Sequence, residues 1–177
     1  MILVIDMKPD IIIHGNEKSY NLHDAAEKLV CALNASGKTV ATAESCTGGL
    51  IGGAITSVSG ASAVYEQGYV TYANSAKEKL LGVKHETLET LGAVSVETAF
   101  QMAEGVCRAS GSNLGIAVTG IAGPGGGTPE KPVGLVYIGI SFEGDTKVCE
   151  CRFSGDRETV RTATVYNALE LAKSAVK

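Results

Sequence analysis

One short stretch limits what this chain can fold into more than any other. An apolar, β-prone run over residues 39–44 passes directly into Ser45-Cys46-Thr47-Gly48-Gly49, then into small apolar residues to about position 58. That order reads as strand, tight turn and helix, and paired glycines supply the backbone freedom such a turn needs. The same alternation continues along the chain. A helix is expected over residues 22–35, capped by Asn21 and closed by Gly37, with Ala25, Leu29, Ala32 and Leu33 at helical spacing. Residues 65–73, rich in Tyr and Val, read as a strand with Tyr65 and Tyr69 in the core, and Asn74 as the cap of a short helix to Leu81. Short and longer helices follow over 85–91 and after Ser95. A buried strand is expected over 114–119, a Gly/Pro-rich loop over 120–132, a hairpin over 133–142 and 146–153, and a last helix from about Asp156. Helices alternate with strands and a hairpin intrudes, so the expected class is α/β: a single three-layer αβα domain with a mixed β-sheet. Residues 1–20 stand apart as an N-terminal extension or arm, β-prone over 2–13 but interrupted by Pro9, and 21–177 form the domain.

Composition narrows the function. At 177 residues the chain can bury a sizeable core by itself. A hydrophobic share of 45% with 19% charged residues excludes a disordered chain. Fifteen Lys and Arg against nineteen Asp and Glu leave a net charge of −4, without the basic surplus of a nucleic-acid-coating protein. No apolar run approaches the length of a membrane span, and no basic region precedes the apolar start, so neither membrane insertion nor a signal peptide is expected. Five cysteines at 31, 46, 107, 149 and 151 do not pair evenly, which fits reduced thiols in the cytoplasm. The three His are widely spread and form no metal-ligand pair with them, so no metal and no cofactor are expected.

Three segments carry candidate chemistry. Ser45 sits at the strand-to-helix turn, where the N–H groups of Thr47, Gly48 and Gly49 are placed to meet an anion or oxyanion; the alternative is a plain helix cap by Ser45 or Thr47. The segment is neither a phosphate-binding Gly-Lys-Ser/Thr loop nor a Gly-x-Ser-x-Gly elbow. Tyr72 and Lys77 flank a strand–helix junction and can face one cleft. A serine nucleophile needs a base, and no His lies in a suggestive context; a desolvated Lys fills that role and a Tyr hydroxyl can relay the proton. An exposed Lys77 among Lys79 and Lys84 is the alternative. The third segment, Thr119-Gly120-Ile121-Ala122-Gly123, ends a buried strand, where ligands gather at a sheet's carboxyl edge and repeated glycines can present an anion-binding nest; otherwise it is a surface loop. Arg157 and Arg161 share a helical face and either grip a phosphate or form a solvated edge.

In order and without large gaps, these segments resemble the CinA C-terminal domain family. The resemblance rests on Thr42-Ala43-Glu44-Ser45-Cys46-Thr47-Gly48-Gly49, Tyr72-Ala73-Asn74-Ser75-Ala76-Lys77 and Gly92-Ala93-Val94-Ser95. It continues through Ala117-Val118-Thr119-Gly120-Ile121-Ala122-Gly123-Pro124-Gly125-Gly126-Gly127, Lys131-Pro132-Val133-Gly134 and Gly155-Asp156-Arg157. It runs from about residue 22 to the end and looks like the stand-alone form. Enzymatic members of that family are nicotinamide-nucleotide amidases, so the resemblance implies hydrolysis of nicotinamide mononucleotide to nicotinate mononucleotide and ammonia. It implies Ser45 as nucleophile, Lys77 as general base and Tyr72 as relay or positioning group. The implied substrate-binding set is Thr47, Gly48, Gly49, Asn74, Thr119, Gly120, Ile121, Ala122, Gly123 and Arg157. Partners are then a small pyridine nucleotide and, for assembly, a homodimer or higher homo-oligomer. A non-catalytic nucleotide-binding module is the alternative of a different class, and a Cys46 nucleophile is disfavoured by the lack of a nearby His.

Overall fold

Asn21, Ser95 and Asp156 each precede an apolar helical pattern, and each side chain accepts a backbone N–H from three residues on. These caps start the three longest helices of the computed structural model, which describes residues 7–16 and 19–176. In chain order the elements are β1 (Ile11–His14), α1 (Leu22–Ser36), β2 (Val40–Glu44), α2 (Leu50–Thr56), a 3-10 turn (Ala61–Ala63), β3 (Tyr65–Val70), α3 (Asn74–Leu81), α4 (His85–Thr90), α5 (Val96–Ser110), β4 (Leu114–Gly120), β5 (Leu135–Phe142), β6 (Asp145–Arg152) and α6 (Arg157–Ala175). At the strand–helix junction before α3, two expected boundaries move. The strand expected over 65–73 ends at Val70, and Asn74 is the first helical residue rather than the cap, the cap position falling to Ala73 without a side-chain bond.

The strands form one mixed sheet in the order β1-β6-β5-β4-β2-β3. Parallel pairing joins β2 to β3 and β4, and β1 to β6; the β4–β5 and β5–β6 pairs are antiparallel. Glu143 and Gly144, both at positive φ, make the tight turn between β5 and β6. The expected N-terminal arm falls partly on residues 1–6 and 17–18, outside the described range; among its described residues, Ile11–His14 adds an edge strand. Helices α1, α2 and α6 cover one face over a core that includes Leu29, Leu33, Ile51, Ile116, Ile138 and Leu169. The other face carries α3, α4 and α5 over Leu81, Val83, Met102 and Val106. The three-layer α/β expectation is met.

Helix α5 lies unusually close to its neighbours, and glycines explain it. A Cβ on Gly105 would stand 2.1 Å from the Leu81 carbonyl oxygen, and one on Gly139 of β5 would stand 2.5 Å from that of Ala99. Without side chains there, α5 presses against both the sheet and α3. Because β2, β3 and β4 run parallel, their carboxyl ends meet at one sheet edge. Ser45 N–H donates to Val118 O (3.1 Å) and Thr71 N–H to Glu44 O (2.8 Å), so the ladder extends one residue beyond the strands and fixes Ser45 and Thr71 side by side.

Candidate active site

The nucleophile turn is built on a buried carboxylate. Glu44 is the last residue of β2 and only 1% exposed. Its Oε2 accepts from Thr47 Oγ1 (2.7 Å), Gly49 N (3.0 Å) and Ile51 N (3.0 Å), and its Oε1 from Gly52 N (2.9 Å). Burying an unpaired carboxylate costs several kcal/mol, and these donors, with the positive end of α2, offset it. Gly48 and Gly49 turn the chain at φ +62° and +101°, where a side chain would be strained. From α6, Arg161 donates through Nε to Cys46 O (3.1 Å) and through Nη2 to Thr47 O (2.8 Å). The turn is therefore held from both sides. Glu44 has no assigned role in the sequence reading, because its partners are mostly backbone N–H groups, which carry no residue signature.

Above the turn, Ser45 and Lys77 meet. Lys77 Nζ lies 3.1 Å from Ser45 Oγ, 2.8 Å from Thr71 O and 3.4 Å from Tyr72 O. Lys77 is 1% exposed, not a surface lysine, and burial lowers its pKa from 10.5 to about 8, only partly opposed by Cys46. Tyr72 is the residue expected as a relay or positioning group. Its side chain is 64% exposed and makes no hydrogen bond to Ser45 or Lys77; its backbone carbonyl is what faces the amine. Cys46 is buried, and burial pushes its thiol up to about 11, so a thiolate nucleophile is disfavoured.

The three N–H groups expected to meet an anion are not equally available. Gly48 N–H donates to Ser45 O (3.2 Å) and Gly49 N–H to Glu44, because the turn needs both bonds to hold its shape. Among the described residues, the N–H groups of Cys46 and Thr47 are the ones in this turn that donate to no acceptor.

The sequence model of the CinA C-terminal domain matches residues 22–176. The chain belongs to the CinA C-terminal domain family. A putative competence-damage inducible protein of Acetivibrio thermocellus is 46% identical over 175 residues, 98% of this chain and 42% of its own length. One from Clostridium novyi is 56% identical over 132 residues, 75% of this chain and 32% of its own length. The chain thus spans about a third to two-fifths of these relatives. The crystal structure of the competence/damage inducible protein CihA from Agrobacterium tumefaciens superposes with a TM-score of 0.86 at 47% identity, covering 88% of this chain and 96% of that one. A CinA superfamily protein from Escherichia coli does so with 0.83 at 32% identity, covering 87% and 90%.

Elsewhere in this CinA domain, the remaining expected residues are held by neighbours. Thr119 Oγ1 donates to Ala93 O (2.6 Å) and Ile121 N–H to Leu135 O (2.9 Å), so neither donor is left over for a ligand. A Cβ on Gly120 would stand 2.7 Å from Val136 Cγ2, so this glycine serves close packing. Ala122 and Gly123 are buried, and Gly123 O accepts from Arg157 Nη1 (2.9 Å). Arg157 is exposed and has further donors, whereas Arg161 directs two of its five into the turn. Asn74 is exposed at the start of α3. None of the described helices is long and apolar enough to cross a membrane.

Proposed function

We propose that this CinA domain is an amidase that hydrolyses the carboxamide of nicotinamide mononucleotide, giving nicotinate mononucleotide and ammonia through an acyl-enzyme on Ser45. The observation that carries the reading is the buried Ser45–Lys77 pair, with its 3.1 Å contact and an amine whose pKa is near 8. A neutral amine has two N–H donors and one lone pair. Thr71 O and Tyr72 O accept the two donors, which leaves the lone pair for the Ser45 hydroxyl. Lys77 then takes the Ser45 proton as Oγ bonds to the carboxamide carbon. The N–H groups of Cys46 and Thr47 meet the oxyanion, held in place by Arg161 on the carbonyls of the same two residues. Lys77 passes the proton to the amide nitrogen, the C–N bond breaks and ammonia leaves. Water then enters, with Lys77 again as base, and releases nicotinate mononucleotide.

The surroundings suit a pyridine nucleotide. The exposed Tyr72 ring offers a π-face to a cationic pyridinium, and Arg157 keeps guanidinium donors for a phosphate. We place the reaction in the cytoplasm, where the five cysteines stay reduced. Ser45→Ala tests the reading: ammonia release from nicotinamide mononucleotide should vanish while calorimetry still detects binding. Wild-type protein that binds the nucleotide and releases no ammonia between about pH 6 and 9, a span on both sides of the Lys77 pKa, would instead make this a nucleotide-binding module.

A further inference from the structure

Thr71 is fully buried, and its Oγ1 is, among the described residues, the one buried side-chain polar atom with no hydrogen-bond partner. A buried hydroxyl left unpaired costs stability, and an apolar residue of the same shape would avoid that cost. The direction of the side chain follows from register. Ala43 pairs with Tyr69, and Glu44 with Val70. Ala43 and Tyr69 pack with Leu81 and Met102 on the α3–α5 side of the sheet. Glu44 and Val70 point to the other face, toward the turn into α2: Glu44 bonds its N–H groups, and Val70 Cγ2 would lie 3.7 Å from a Cβ on Gly49. Successive residues of a strand alternate faces, so Ser45 and Thr71, one step further on, both face α3, where Lys77 sits. The orphan hydroxyl therefore shares a face with the nucleophile and its base.

The donor count at Lys77 changes during the reaction. The neutral amine is satisfied by Thr71 O, Tyr72 O and the Ser45 hydroxyl. Once Nζ has taken the proton it is an ammonium with three N–H donors, while Oγ, now bonded to carbon, is a weak acceptor. We propose that Thr71 is a positioning residue: its hydroxyl oxygen accepts the third N–H of the Lys77 ammonium as Ser45 attacks, and releases it when the proton passes to the leaving nitrogen. The inference rests on the Ser45–Lys77 reading and adds a residue to it.

The test is Thr71→Val beside Thr71→Ser, read first by the rate at which a fluorophosphonate labels Ser45. In that step the Oγ–P bond forms, the P–F bond breaks, fluoride leaves and the proton goes to Lys77. Labelling of Thr71→Val should be slower by about 10-fold, the scale of one hydrogen bond to a charged group, with a Tm at or above that of wild type. Thr71→Ser should label at the wild-type rate, and in ammonia release Thr71→Val should lose kcat with KM unchanged. Labelling of Thr71→Val at the wild-type rate would overturn the role of Thr71 alone. So would a rate loss that Thr71→Ser does not restore, or a fall in Tm. Wild type that the probe does not label would overturn the nucleophile–base reading, and this inference with it.

Discussion

At the scale of single residues, the chemistry depends on a buried amine whose pKa falls to about 8. Desolvation is the main cause of the Lys77 shift, and it has a stability consequence whose sign is fixed. The folded-state pKa, about 8, lies below the ordinary 10.5, so between those values the unfolded chain binds more protons than the folded one. Stability therefore rises with pH across that window. Lys77→Met has no such group, so wild type should gain stability relative to it between pH 8 and 10.5, which denaturant melts at several pH values would detect. A difference that stays flat would mean that folding does not lower the Lys77 pKa. Lys77→Ala should slow ammonia release by a factor of about 10² or more, the scale of a lost general base.

At the scale of elements, a turn and a helix crossing place the pair. Glu44→Ala would leave Thr47, Gly49, Ile51 and Gly52 without their acceptor in a buried position, so unfolding should become easier by about 3 kcal/mol or more. The helix crossing is tested at Gly105. Alanine there drives a methyl into the Leu81 carbonyl and pushes α3, with Lys77, away from Ser45. Gly105→Ala should cost about 1–3 kcal/mol in chemical denaturation and slow ammonia release. Gly53→Ala, whose Cβ would meet nothing within 4 Å, should do neither. Caps at Asn21 and Ser95 are local chemistry and were legible, as were a helix start near Asp156 and the strand–turn–helix around Ser45. The pairing of Ser45 with Lys77, 32 positions apart, came from resemblance, because the residues alone favoured an exposed Lys77. Glu44 and Thr71 were missed for a physical reason: one bonds mostly to backbone, and the other matters through a missing bond.

At the scale of the whole molecule, the sheet order decides where chemistry can occur. Parallel β2, β3 and β4 bring their carboxyl ends to one edge, which gathers Ser45, Thr71 and Thr119. The antiparallel β5–β6 hairpin extends the sheet away from that edge and carries β1 on its far side. The glycine surplus takes on a double meaning here. Ten of 22 glycines fall in residues 48–60 and 120–127. Gly48 and Gly49 shape the nucleophile turn, while Gly52 and Gly120 make room for Tyr65 and Val136. The most direct measurement is the pH profile of ammonia release from nicotinamide mononucleotide, with wild type and Ser45→Ala side by side. The rate of wild type should rise through about pH 8 as Lys77 loses its proton, with Ser45→Ala at background throughout. Equal release from both proteins, or none from wild type at any pH, would contradict the account.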